Sequence, residues 1–349
     1  MQQASPTERS EAHGGEGERR DGQNSDGRNS GGRRHVSIVF RALNEEKWFA
    51  QALQACREQV APGLETEIIL VDSGSTDRTL DIAESHGVRV VHIKKQDFTF
   101  GRSLNYGCRS AAGDYLVFIS AHCIPVHDRW LANLVAPLRQ GAADYSYGRQ
   151  LGHAVTRFSE RQIFAQYFPD YDKLPQDDFF VNNANAAIRR DVWGRYEFDE
   201  EATGLEDMVL GKRIVKDGGR IGYVADAPVY HIHEETLSQT RRRYYREALT
   251  LREIMPEVQL HFGDFLRYTT AAIFHDFSEA LQEKKFLSVA GEVMAFRLMQ
   301  YWGAYRGHNE HRILSRAQKE SYYYPRPRRS SPGAGAQASL DKAERSPAE

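Results

Sequence analysis

Short apolar runs of strand length alternate with amphipathic stretches of helix length early in this chain, and that alternation leaves very few architectures open to it. The run His35-Val-Ser-Ile-Val-Phe40 ends at Arg41-Ala-Leu-Asn-Glu-Glu46, after which Trp48, Phe49, Ala52, Leu53 and Cys56 recur at helical spacing. Glu67-Ile-Ile-Leu-Val71 is a continuous apolar run of the kind buried on both faces of a parallel sheet. It gives way to Asp72-Ser-Gly-Ser-Thr-Asp77, where Asp77 or Thr76 is placed to cap a helix from Arg78. A third strand is expected at 88–93, a helix at 103–112 and a fourth strand at Tyr115–Ser120. Such a series predicts right-handed βαβ units, hence a doubly wound, Rossmann-like, mostly parallel α/β sheet with helices on both faces. Ligands of such sheets bind beyond the carboxyl ends of the strands. Those ends are the polar segments 41–46, 72–77 and 120–125.

Beyond Pro125 the pattern loosens into a helix near 130–138, a strand near 145–150 and a mixed stretch through Ile188. A helix is expected to start at Gly204-Leu-Glu-Asp207, and a last short strand at 220–224 leads to Tyr230-His-Ile-His233. Residues 236–306 read as helices only, so the expected division is a sheet domain at 35–235 and a helical region at 236–324. Residues 1–34 and 325–349 carry almost no large apolar side chains and are expected to be disordered tails.

Forty-six Lys+Arg against 48 Asp+Glu give a formal net charge of −2, which argues against nucleic acid as a partner. Cys56, Cys108 and Cys123 are odd in number and show no CxxC spacing. Neither a disulfide framework nor a thiolate metal site is expected. There is no apolar segment after the N-terminal charges and no run long enough to span a bilayer. A cytoplasmic protein is expected, and the aromatic helices at 262–306, with Phe296, Tyr301 and Trp302, either pack on the protein or lie on the inner face of a membrane.

Taken in order, Ala42-Leu-Asn-Glu-Glu46, Val71-Asp-Ser-Gly-Ser-Thr-Asp-Arg-Thr79, Gly113-Asp-Tyr-Leu-Val-Phe-Ile-Ser120, Asn183-Ala-Asn-Ala-Ala-Ile-Arg-Arg190 and Gly204-Leu-Glu-Asp207 resemble the family 2 glycosyltransferases of GT-A fold. Within that family the chain looks most like bacterial enzymes of surface polysaccharide assembly, including rhamnosyltransferases. The resemblance spans about residues 35–255 and implies inverting, non-processive transfer of a sugar from a nucleotide-diphosphate donor of UDP or dTDP type to a glycan or lipid-linked glycan.

It also implies roles for particular residues. Asp207 matches the general base, and Glu206 beside it is expected to bind acceptor hydroxyls. Asp72 matches a nucleotide-contacting carboxylate, although Asp-Ser-Gly-Ser is good turn chemistry by itself. Arg41, Leu43 and Glu45 would wall the same pocket, and Arg102 and Asn105 sit where donor-contacting groups are found. Where most members carry Asp-x-Asp to hold Mg2+ or Mn2+, this chain has Ser120-Ala121-His122. His122 is then a metal ligand, Ala121 stays with the donor pocket, and His231 and His233, on one face of an extended segment, either complete the metal site or are buried hydrogen-bonding groups. Gln239-Thr-Arg-Arg242 is similar to the Gln-x-x-Arg-Trp motif of processive synthases without its Trp. Arg242 and its neighbours Arg241, Arg243, Arg246 and Arg252 are placed to reach a diphosphate or else form a solvated helix face.

Two other functions compete. A nucleotidyltransferase would show a Gly-rich, basic loop after the first strand, which Arg41-Ala-Leu-Asn-Glu-Glu46 is not. A non-catalytic nucleotide-sugar-binding subunit is suggested by the altered metal motif.

Overall fold

A computed structural model describes residues 34–311; the tails expected at 1–34 and 325–349 lie outside the described residues apart from Arg34. Strand β1 (Arg34–Ala42) is followed by α1 (Phe49–Arg57), β2 (Leu64–Asp72), α2 (Thr79–Ser85), β3 (Arg89–His92), α3 (Phe100–Ser110) and β4 (Tyr115–Ser120). These are the predicted βαβ units, with parallel pairing of β1 to β2, β1 to β4 and β2 to β3. In register, Ala42 faces Asp72 and Arg41 faces Ser120, so the three strands end side by side.

The second half departs from a purely parallel sheet. β5 (Cys123–Pro125), α4 (Trp130–Arg139), β6 (Tyr145–Gly152), α5 (Phe158–Tyr167), β7 (Asn185–Arg189), α6 (Arg190–Tyr196), α7 (Glu206–Lys216) and β8 (Ile221–His231) complete an eight-stranded sheet in the order β3-β2-β1-β4-β7-β6-β8-β5. β7 runs antiparallel to β4 and β6, β8 is parallel to β6, and β5 is antiparallel to β8. Four of the seven pairings are therefore parallel, and the sheet is mixed. β8 is longer than the expected 220–224 because a buried apolar series, Val224, Ala225, Ala227 and Val229, carries it on to His231. Its far end pairs Cys123 with His231.

Alternation along the strands sends side chains into two apolar layers. Ile38 and Phe40 pack with Phe49, Leu53, Trp130 and Leu134 on one face, whereas Val39, Val71 and Phe118 pack with Leu104, Phe198 and Leu210 on the other. Burial on both faces accounts for the near-continuous apolar reading of β1, β2 and β4.

Helices α8 (Leu237–Ile254), α9 (Phe262–Gln282) and α10 (Phe286–His308) form the helical region. α10 presses onto α8 through Gly303 and Gly307, where an added Cβ would lie 2.3 Å from the Arg241 carbonyl oxygen and 2.2 Å from that of Tyr245. Between α9 and α10, the fully buried Asp276 accepts from Arg297 Nε at 2.8 Å and Nη2 at 2.7 Å, and Arg297 Nη1 donates to Gln300 Oε1 at 3.0 Å. Phe296 is buried, while Phe274, Leu281 and Leu287 stand exposed on the hairpin. No described helix is long and apolar enough to cross a membrane.

Candidate active site

The residues leaving β1 join two groups of side chains. Arg41, at its end, donates from Nη1 to Glu206 Oε1 at 3.1 Å, and Glu45, four residues on, pairs with His122 Nδ1 at 2.9 Å. One short turn thus holds a carboxylate pair on one side and a histidine cluster on the other.

The carboxylate pair opens α7. Leu205 precedes it with φ +52°, a left-handed backbone that costs a branched residue about 1 kcal/mol. Asp207 is buried; its Oδ2 accepts from the Asn183 backbone N–H at 2.9 Å and its Oδ1 from that of Met208 at 2.8 Å. A helix N-terminus favours a carboxylate that stays ionised, but here the opposite holds. Burial, and then the Glu206 charge beside it, push the Asp207 carboxyl up to about 7, against the pull of the two amides and Arg41. Asn183, whose Oδ1 accepts from the Tyr145 hydroxyl, keeps Nδ2 buried without a hydrogen-bond partner. Arg246 Nε is likewise unpartnered, its guanidinium lying 4.6 Å from the centre of the Phe100 ring, while that of Arg41 lies 4.7 Å from the same centre.

The histidine cluster is built from strand ends. His122 precedes β5, His231 closes β8 and His233 follows two residues later. One ring nitrogen from each lies within 4.8 Å of the other two. The rings of His231 and His233 are 4.1 Å apart between centres, and those of His122 and His231 are stacked at 5.3 Å. His231 Nδ1 pairs with Gln150 Oε1 at 2.6 Å and His233 Nδ1 with Glu160 Oε1 at 2.7 Å. Burial, reinforced by the rings of His233 and His122, pushes the His231 imidazole well below its usual range. At His122 burial also opposes charge, but the Glu45 carboxylate outweighs it and raises the imidazole. The extended chain at 231–233 puts both rings on one side, as the sequence predicts. Beside His233 a cleft of about 560 Å³ opens between Arg157, Arg161, Thr236 and Glu292.

Other predicted residues fall as follows. Asp72 is buried, with Oδ2 accepting from the Gly74 N–H at 2.9 Å and Oδ1 from that of Ser75 at 3.1 Å. It shapes the turn that ends β2, so the turn reading is realised at the strand end. Leu43 is half-buried in the turn after β1, and Ala121 is buried between Ser120 and His122.

Two of the expected donor-pocket residues are engaged by the protein itself. Asn105 is fully buried: its Nδ2 donates to the Phe198 carbonyl and Glu200, and its Oδ1 accepts from Trp193 Nε1 and the Phe198 N–H. With its amide spent on residues 193–200, it anchors that segment rather than meeting a donor. Arg102 donates from Nε to Glu200 Oε2 at 2.7 Å and from Nη1 to the Asp97 carbonyl at 2.8 Å, so it too is committed within the protein.

The arginine run divides. Arg243 pairs with Glu160 at 2.7 Å and Glu235 at 2.9 Å, Arg252 donates to backbone carbonyls of His308 and Glu310, and Arg246 stacks on Phe100. Arg242 is half-buried on α8. Gln239 completes a capping box with Thr236 at the start of α8. The sequence reading did not single out Gln150, Glu160 or a role for Asn183; the first two lie 81 and 73 residues from the histidines they orient.

Comparison with known proteins agrees with this fold. The family model described as Glycosyl transferase family 2 matches residues 37–196. The O-antigen chain rhamnosyltransferase RfbN of Salmonella typhimurium is 24% identical over 241 residues, covering 65% of this chain and 76% of that protein. The O-antigen chain rhamnosyltransferase WbaN of Salmonella anatum is 28% identical over 211 residues, covering 57% of this chain and 66% of that protein. Among solved structures, the mannosyltransferase PcManGT from Pyrobaculum calidifontis, in complex with GDP-Man and Mn2+, shares the fold with a TM-score of 0.52 at 19% identity, covering 78% of this chain and 85% of that one.

Proposed function

We propose, from the match of residues 37–196 to the Glycosyl transferase family 2 model, that the chain transfers a sugar, with inversion, from a nucleotide-diphosphate sugar to a glycan or lipid-linked glycan in surface polysaccharide assembly. The observation that carries this reading is the turn after β1, which ties the Glu206–Asp207 pair through Arg41 and the histidine cluster through Glu45. The candidate base and the candidate diphosphate-side group are thereby both tied to one turn at the strand ends, where such sheets bind their ligands.

The reaction asks for a proton acceptor on one face of the donor sugar and for charge neutralisation on the other. The acceptor oxygen forms its bond to the anomeric carbon as the bond from that carbon to the diphosphate oxygen breaks, and Asp207 takes the hydroxyl proton. A carboxyl poised near neutrality is matched to that task, because it is ionised when the acceptor arrives yet basic enough to take the proton. Asn183 Nδ2, unpartnered beside it, is available to an acceptor or donor hydroxyl. Glu206 stays bound to Arg41 and orients the turn as well as any acceptor hydroxyl that reaches it. His122, His231 and His233 fit a divalent cation, since each Nδ1 is engaged and each ring has a second nitrogen to offer. When bound there, such an ion supplies positive charge to the departing diphosphate.

Donor binding is tested by thermal stabilisation across a panel of UDP-, dTDP- and GDP-sugars, because a ligand that binds the folded chain raises its stability by mass action. One base class is expected to raise Tm, and Asp72→Ala to abolish that rise while the melting remains cooperative. No stabilisation by any nucleotide sugar would remove the donor assignment. Stabilisation without detectable transfer to any acceptor would instead favour the non-catalytic binding subunit.

A further inference from the structure

We propose that the three histidines form an all-imidazole metal seat that selects a late first-row divalent ion, of the Co2+, Ni2+ or Zn2+ class, over Mg2+, with Gln150 and Glu160 as positioning residues that fix the ligating nitrogens. This rests on the reading that a divalent cation serves the donor diphosphate.

The protonation pattern follows from one unambiguous donor. The backbone N–H of Ala184 donates to Asn182 Oδ1 at 3.0 Å, so that atom is the carbonyl oxygen. The same oxygen accepts from Gln150 Nε2 at 3.0 Å, which turns Gln150 Oε1 toward His231. An amide oxygen only accepts, so His231 carries its proton on Nδ1 and its lone pair on Nε2. At His122 and His233 the acceptors are the carboxylates of Glu45 and Glu160, with the same outcome. Glu160 is itself buried and fixed by Arg243, so His233 is held by a clamped partner. With each Nδ1 engaged, the nitrogen that each of the three rings turns to an ion is Nε2.

The donor set decides which ion fits. The metal-competent group among the described residues is three histidines, with no carboxylate or thiolate in it. Glu45 and Glu160 are carboxylates near the cluster, but each is bonded to a Nδ1, where it orients a ring. Mg2+ requires oxygen ligands and gives up its water reluctantly, whereas neutral imidazole suits the later transition ions. Three protein ligands leave further positions open, as catalytic rather than structural sites do. A nucleoside diphosphate has the oxygens to fill them.

The test uses the full chain stripped by chelator and desalted. Co2+ titration is expected to give visible d–d absorption saturating at one ion per chain, to survive a large excess of Mg2+ and to be bleached by Zn2+. His231→Ala is expected to remove the band. Glu160→Ala should weaken Co2+ by about 10–100-fold, and Glu160→Gln, which keeps an acceptor for His233 Nδ1, should restore most of it. Should Glu160→Ala fail to fold for want of a partner to Arg243, Gln150→Met removes the acceptor at His231 without breaking an ion pair, and the same weakening is expected. Displacement of Co2+ by Mg2+ at comparable concentration, or an undiminished band in His231→Ala, would overturn the proposal. Failure of the glycosyl-transfer reading shows elsewhere: nucleotide sugars would give no thermal shift with any ion loaded, whatever the Co2+ titration shows.

Discussion

Asp207→Asn is expected to lower kcat by about 10²–10⁴-fold while leaving the nucleotide-sugar thermal shift intact. The substitution is nearly isosteric, and the new Oδ1 can still accept one of the two backbone N–H groups that now reach the carboxylate. What it removes is the ability to take a proton. The pH profile provides a second readout. Asp207 works as a base only when ionised, so with its carboxyl raised to about 7 the rate should climb as pH rises through neutrality and level off above it. That limb should vanish in the residual activity of Asp207→Asn. In Glu206→Gln it should move to lower pH, because the second cause of the shift, the neighbouring negative charge, is gone. The sign for stability is opposite. The folded-state pKa lies above the ordinary 3.8, so the stability this group contributes is fully present below that value and is lost as pH rises through about 7. Unchanged transfer by Asp207→Asn, measured with a verified donor and acceptor, would remove the base assignment.

Arg297→Met is expected to cost about 3–5 kcal/mol of folding stability, because it removes the guanidinium that makes two hydrogen bonds to the fully buried Asp276. The double variant Asp276→Leu with Arg297→Met should recover most of that loss, since burying a charge pair is expensive and apolar side chains of similar size pack without desolvation cost. Urea melts of the single and double variants decide the matter: a double variant as unstable as the single one would mean that shape, not charge compensation, sets the energy there. The prediction concerns the α9–α10 hairpin and not the chemistry, so donor binding by the sheet should persist wherever the variants fold.

The fold was legible where local chemistry and final burial agree. β4 runs from Tyr115 to Ser120 as the apolar run and the Gly113-Asp114 turn predict, and α4 begins at Trp130. Where partners come from afar, the sequence says less. β7 is fully buried at Asn185 and Ala186 but too short and small-residued to announce a central antiparallel strand, and β8 continues to His231 because β5 and β6 flank it. In the candidate site, the histidines that come together and the Glu206–Asp207 pair could be singled out in the sequence because their types are chemically distinctive. The roles of Gln150, Glu160 and Asn183 were not, because a glutamine or glutamate many residues away carries no sign of which ring it will face. Asn105 shows the same distance problem from the other end: nothing near it in sequence announces that residues 193–200 fold back onto its amide. Asp207 stands near neutrality for a similar reason, since the depth of its burial and the nearness of Glu206 outweigh the helix start that the sequence displays.

β8 also bears on how the molecule breathes. His231 ends β8 with a strand on each side of it, paired with Cys123 on one and Gly152 on the other. Moving its backbone means parting β8 from β5 or β6, whereas the turns at 43–46 and 73–77 shift without breaking a strand pairing. The histidine side of the candidate site is therefore tied into the sheet, and rearrangement on substrate arrival is expected at the turns after β1 and β2.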